Sequence, residues 1–374
     1  FQRASHGNYA LALLGSAAIV ALHLSGDLGR RSTIGFVGSL ISCAALTFFI
    51  RRVGGHWRQT LEAFGRARYA YLIPALGMLV VLYAFRIARW RLFLKPIKSV
   101  GWLSVTSATL IGFTANNVLP ARLGELIRPY LLHRREKVGF GHALATIGLA
   151  RVFDLIGLAV LLLCTWVLLS VSARTKPLLP GSAEHRPRRD SGTEFASERK
   201  QTVRRASRFE QDALIQKVWK GGLIIAAMAG LGTCVLLGLA LFPAPILRLG
   251  EASTSILPEG WRAPLVGLMH SVVETMGFLM NWKGVGLAVV YSVGTWLAQG
   301  LSTWALAEGL GLEIGAAGAF LAVIAVAAAV AVPQGPGFLG TFHLAATLAA
   351  ETFQTARGDA AAFAVLMWLV NIIP

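Results

Sequence analysis

Long apolar runs recur along this chain, near 9–24, 34–50, 69–86, 100–118, 143–172, 219–242, 284–310, 315–332, 338–354 and 359–374. An α-helix needs about 20 apolar residues to cross about 30 Å of hydrocarbon, and backbone groups in lipid must be bonded within the segment or within a closed barrel. These runs lack the strict alternation of barrel strands, so they predict helices. Only 14% of the residues are charged, against roughly 25% in soluble domains, which excludes an ordinary soluble enzyme. The expected fold is all-α, a polytopic integral membrane helical bundle with about 8–10 membrane segments.

The pattern divides the chain into four parts. Residues 1–32 read as an N-terminal accessory helix or a trimmed leader, because the first run is short, follows Arg3 and ends at L-H-L-S-G-D. Residues 33–172 form a first membrane half. Residues 173–218 are rich in Arg, Ser and Glu, too poor in apolar side chains to fold alone, and read as a disordered connector. Residues 219–374 form a second half, which stops inside an apolar run and is expected to be C-terminally truncated. The stretches P-A-R-L-G-E-L from Pro120 and P-G-F-L-G-T-F from Pro336 share P-x-x-L-G-x-apolar, each between two apolar runs. Pseudo-repeated halves with re-entrant or broken helices, and chance likeness in a Leu- and Gly-rich chain, both fit.

The formal charge of +17 would point to nucleic acid in a soluble chain, but here Lys and Arg lie between apolar runs with no aromatic and basic platform. Loop bias and anionic headgroups account for them, and no nucleic-acid partner is expected. Trp57, Leu61 and Phe64 share one helical face, with Arg58, Arg66 and Arg68 elsewhere, the pattern of an interfacial helix. Arg86, Arg89, Arg91, Lys95 and Lys98, near Trp90 and Trp102, read as a second belt that snorkels to the interface. His270 and Glu274 read as the wet face of another interfacial helix. Gln299 and Glu308 either pack between helices or line a cavity, and Trp282, Trp296 and Trp304 read as belt or core aromatics. Cys43, Cys164 and Cys234 lie in separate runs without C-x-x-C or His at ligand spacing, so no metal site or disulfide framework is expected. No cofactor is expected.

Charge is concentrated in N-N-V-L-P-A-R-L-G-E-L-I-R, residues 116–128. Ionisable groups at membrane depth are costly and persist when they pair or line a polar path. Arg122 and Glu125, Glu125 and Arg128, and Arg151 and Asp154 are each three apart, so each couple would share a helix face. The Arg fork suits phosphate oxygens. Asn116 and Asn117 could satisfy freed backbone groups or donate to the same headgroup, and Pro120 and Gly124 would break the helix and free amides for an anion. An interfacial loop, with Arg151 and Asp154 at the water end of a long helix, fits the spacing equally well.

N-x-x-x-P-x-R-x-G-E-x-x-R, followed by R-x-x-D in the next run, resembles the flippase-like transmembrane family, the membrane region of lysylphosphatidylglycerol synthases and their stand-alone relatives. The matching positions are Asn116, Pro120, Arg122, Gly124, Glu125, Arg128, Arg151 and Asp154. A late P-x-x-P-G-x-x-G is similar to Pro333, Pro336, Gly337 and Gly340, and R-I-A-R-W-R-L-F-L at 86–94 is similar to the family's R-W-x-x-L-L element. Family members often carry Glu soon after the late signature, whereas this chain has Phe342 and His343, with Glu351 farther on. The resemblance implies a multi-pass protein of the inner cell membrane whose partners are membrane lipids. It translocates or binds an anionic or aminoacylated phospholipid or a polyprenyl-phosphate headgroup. Asn116, Asn117, Arg122, Glu125, Arg128, Arg151 and Asp154 would contact that headgroup, and Pro120, Gly124, Pro333, Pro336, Gly337 and Gly340 would break the backbone. The aminoacyl-transfer domain of the synthases has no counterpart in these residues, so the expectation is a transporter and not an enzyme. Without a G-x-x-x-x-G-K-[ST] loop, movement would be facilitated or coupled to an ion or proton gradient through Glu125, Asp154 or His343. An integral-membrane transferase, and an assembly partner of a glycosyltransferase, remain as alternatives, as does a homo-oligomer.

Overall fold

The structure, a computed structural model, describes residues 32–119, 123–175, 242–254, 259–331 and 335–373, with positions 216, 231, 235 and 238. Pro120, Arg122 and Pro333 lie outside the described residues, as do the expected N-terminal segment and the connector apart from their edges.

Within the described residues there are twelve α-helices and no strand: α1 Ser32–Val53, α2 Trp57–Arg66, α3 Leu72–Leu94, α4 Trp102–Val118, α5 Gly124–Glu136, α6 Phe140–Thr175, α7 Pro243–Thr254, α8 Glu259–Met276, α9 Trp282–Gly309, α10 Gly315–Ala329, α11 Thr341–Glu351 and α12 Arg357–Ile372. Four stretches are long and apolar enough to cross a bilayer: Tyr69–Leu94, Phe140–Val171, Arg262–Met280 and Trp282–Gly309. The protein is an all-α polytopic membrane bundle. Other apolar runs fold into shorter helices: α4 has 17 residues, α10 has 15 and α11 has 11. At 1.5 Å per residue, α11 rises only about 17 Å, well short of a bilayer. Helix α4 ends at Val118 and α5 starts at Gly124, and α10 ends at Ala329 and α11 starts at Thr341, so the expected spans there are two helical hairpins, α4–α5 and α10–α11.

The two halves of the sequence interlock. Helix α3 lies along α9, α1 packs on α11, α2 on α12, and α4 touches the 3-10 turn Pro336–Phe338. Leu161, Leu306, Ala322, Phe363 and Met367 are fully or almost fully buried in the main core, which draws on α3, α6 and α9–α12. Lipid tails are as apolar as Leu, so close van der Waals packing associates helices in a bilayer, and small residues allow the approach. The sequence of α10, G-A-A-G-A-F-L-A-V-I-A-V-A-A-A, is suited to that task. At the start of α9, the Asn281 side chain caps the helix by accepting from the Gly284 N–H at 3.2 Å.

Helix α2 divides its faces. Trp57 and Leu61 are exposed, while Thr60 and Ala63 are buried and the Thr60 hydroxyl donates to the Gly358 carbonyl of α12 at 3.1 Å. Phe64 turns inward onto the main core, so the expected apolar face is shared between bundle and surroundings. Helix α8 carries His270 and Glu274 within a stretch long and apolar enough to cross. His270 is half-exposed and Glu274 exposed, and both are paired, His270 with Glu251 at 3.2 Å and Glu274 with His142 at 2.7 Å.

Candidate functional site

The charged cluster starts from a close backbone approach. A Cβ on Gly124 would lie 2.0 Å from the Gly112 carbonyl oxygen, so only glycine lets α5 fold back this tightly on α4. A Cβ on Gly112 would lie 2.1 Å from Arg128 Cγ. The Arg128 side chain therefore runs through the gap that these glycines leave. It is 8% exposed, with its guanidinium 4.3 Å from the Trp90 ring centroid and 5.2 Å from that of Phe113. Its Nε has no hydrogen-bond partner.

Helix α3 contributes two more guanidiniums to the cluster. Arg86 stacks 4.9 Å from the Phe113 centroid. Arg89, 4% exposed, donates from Nη1 to the Ser292 hydroxyl of α9 at 2.6 Å and from Nη2 to Asp154 Oδ1 of α6 at 2.7 Å. Arg151 on α6 forms an ion pair with Glu125 on α5 and lies 3.8 Å from Asp154 Oδ2.

Of the couples expected from spacing, Arg151 and Asp154 meet on α6 at 3.8 Å, and Arg122 lies outside the described residues. Glu125 bridges helices to Arg151, Arg128 stacks on aromatic rings, and the short partner of Asp154 is Arg89. Helical spacing places side chains on one face, but partners on other helices approach more closely and set the geometry. The snorkelling belt is corrected, because Arg89 is buried and bonded inside the bundle. Arg91 behaves nearer to expectation, donating to the Val100 carbonyl at 3.0 Å and lying 4.6 Å from the exposed Trp102 ring.

These groups border a cavity of about 200 Å³ between the interlocked halves. Its lining includes Arg86, Glu125, Arg151, Asn116 and Asn117 together with the apolar Leu79, Leu82, Val323, Val326 and Met367. Beside it a smaller chamber of about 50 Å³ is bounded by Arg86, Arg89, Arg128, Arg151 and Asp154, with Phe113 and Ala150. Asn116 Oδ1 is buried without a hydrogen-bond partner, while Asn117 Nδ2 donates to the Ile372 carbonyl at 2.8 Å, tying α4 to the end of α12. Gln299 lines the cavity, and Glu308 instead accepts from Trp304 Nε1 at 3.0 Å. Among the described residues no group of three His, Cys, Asp or Glu could hold a metal.

The second half supplies backbone and rings. Gly337 has φ 65° and Gly340 φ 87°, the left-handed region that favours glycine. The Gly337 carbonyl lines the cavity wall and accepts from Trp368 Nε1 at 2.7 Å. A Cβ on Gly340 would sit 2.4 Å from the Leu46 amide nitrogen of α1, so this glycine allows α11 to begin against that helix. His343 lies behind the wall and does not line the cavity; it is 5% exposed, among Phe49, Phe342 and Trp368, with ring centroids 5.2–6.1 Å away. Glu351 is held by Arg52 at the far end of α11.

Sequence reasoning missed Arg86, Arg89 and Trp368 at the cavity and chamber, and left Gln299 between packing and lining a cavity. A signal existed for the first two, which are three apart and precede Trp90 within the R-I-A-R-W element already singled out.

Comparison with known proteins bears on this arrangement. The family described as the lysylphosphatidylglycerol synthase TM region matches residues 34–182 and 211–374. The glycosyltransferase AglD of Haloferax volcanii is 30% identical over 135 residues, which is 35% of this chain and 20% of that protein. The matched stretch therefore spans about a fifth of that relative. No solved structure matches.

Proposed function

Because the chain belongs to the family of the lysylphosphatidylglycerol synthase TM region, we propose that it is a lipid translocase whose cavity admits a phosphate-bearing lipid headgroup. The observation that carries this reading is one cavity lined both by Arg86 and Arg151 and by apolar side chains from both halves. Arg forks match phosphate oxygens, and apolar walls suit acyl or isoprenoid chains. Glu125 and Asp154 hold Arg151 and Arg89 in place, while Asn116, with a free buried acceptor, lies beside the headgroup. The chain would work in the inner cell membrane.

Purified protein in liposomes tests the proposal. Fluorescent phosphatidylglycerol should cross leaflets at least tenfold faster than in empty vesicles, and Arg151→Glu should return the rate to the empty-vesicle value. If Glu125→Arg combined with Arg151→Glu restores transport, the pair is structural and the phosphate role of Arg151 fails. A change in lipid mass during the assay would replace the transporter reading with a transferase.

A second reading, work alongside a glycosyltransferase on a lipid-linked sugar, is supported by the segment shared with the Haloferax volcanii enzyme. Co-purification of a glycosyltransferase with the tagged chain from its own membranes would favour it.

A further inference from the structure

Within the translocase reading, on which this inference rests, the charge and size of the inner chamber narrow the ligand. Among the described residues, four guanidiniums, Arg86, Arg89, Arg128 and Arg151, and two carboxylates, Glu125 and Asp154, line the cavity and chamber. Both carboxylates are engaged, Glu125 by Arg151 and Asp154 by Arg89. Arg86 and Arg128 stack on the same Phe113 ring, and no carboxylate pairs with either among the described residues. Two like charges at one ring repel, and a buried guanidinium without an anion is costly. Arg128 shows the deficit directly, being more than nine-tenths buried with Nε unpartnered.

We propose that the chamber between Arg86 and Arg128 seats the terminal phosphate of a lipid phosphomonoester, and that aminoacylated headgroups are disfavoured. A phosphomonoester carries about −1.5 to −2 charge at pH 7 and three free oxygens, which answers two unneutralised guanidiniums. The chamber's 50 Å³ is room for a few waters, about the bulk of one phosphate group. A phosphodiester must continue past its phosphorus into a further headgroup, and Ile147 and Ala150 stand among the chamber's walls. An aminoacyl headgroup would also bring an ammonium to four guanidiniums, where neither carboxylate is free to receive it. Phosphatidic acid and polyprenyl phosphate share the required chemistry.

Thermal unfolding of the full chain in detergent reads binding apart from transport. Short-chain phosphatidic acid and a short-chain polyprenyl monophosphate should each be bound at least tenfold more tightly than short-chain phosphatidylglycerol or its lysyl ester. Arg128→Gln should lower the affinity for both phosphomonoesters at least tenfold and so remove that preference. Arg86→Gln serves as the second variant if Arg128→Gln does not fold. Binding of only one of the two phosphomonoesters assigns the lipid source and upholds the seat. Equal binding of phosphatidylglycerol or of the lysyl ester overturns it, as does equal stabilisation by inorganic phosphate alone, which would assign a free anion. Preferential phosphomonoester binding without transport leaves the seat standing and removes the translocase reading.

Discussion

The α4–α5 and α10–α11 hairpins meet at the same cavity with opposite chemistry. The first brings Asn116, Asn117 and Glu125, with Arg128 in the adjoining chamber, and the second brings small aliphatic side chains, Gly337 and the rings of Phe338 and Phe342. Their construction is similar, since each second helix starts near a Leu-Gly pair whose glycine permits a close backbone approach. The approaches differ in target: Gly124 closes onto its own hairpin at Gly112, and Gly340 closes onto α1. A shared backbone plan therefore serves two tasks, one hairpin carrying charge and the other shaping an apolar wall.

The strongest test of the shared plan is Val at both glycines. Gly124→Val and Gly340→Val should each cost about 4 kcal/mol or more, the range of severe overpacking and backbone strain, read as loss of folded protein in detergent. If either is tolerated, the two hairpins do not depend on close approach alike.

The charge difference is tested next. Asp154→Asn leaves Arg89 buried without its carboxylate and should cost about 3–5 kcal/mol, measured by thermal unfolding. His343→Phe places a similar ring among Phe49, Phe342 and Trp368 and should leave lipid movement within about twofold of the parent protein. Transport lost with His343→Phe in a folded protein would give the second hairpin a chemical task and end the contrast. Trp368→Phe removes the donor to the Gly337 carbonyl and should cost about 1–2 kcal/mol, a check on whether that wall needs its hydrogen bond. The smallest effect belongs to the Arg66–Asp359 contact at 3.0 Å on the exterior, where Asp359→Ala should change stability by about 0.5 kcal/mol or less.

Much of the architecture was legible because hydrocarbon imposes local rules. Long apolar runs without alternation could only be helices, and the runs at 69–86, 143–172 and 284–310 fall, to within a residue, inside helices long and apolar enough to cross. The site was legible in part. Charge in an apolar chain marked the stretch from Asn116 to Arg128, with Arg151 and Asp154, and of these Asn116, Asn117, Glu125, Arg128, Arg151 and Asp154 border the cavity or its chamber. Partner choice was not legible, because Glu125 with Arg151 and Arg89 with Asp154 join residues 26 and 65 positions apart. Arg86 and Arg89 looked like interfacial residues since a run of basic residues at a helix end reads the same whether it faces water or a buried cluster.

By itself, the sequence determined that the chain is a helical membrane protein, where its backbone breaks and which short stretch concentrates charge. Those properties follow from local composition and from the need to satisfy every backbone group in lipid. Only the tertiary structure decided that α3 lies along α9, that two arginines share the Phe113 ring, and that His343 stands behind the cavity wall. Such facts depend on which helices approach within contact distance, and the glycines that permit the approach do not specify their neighbours.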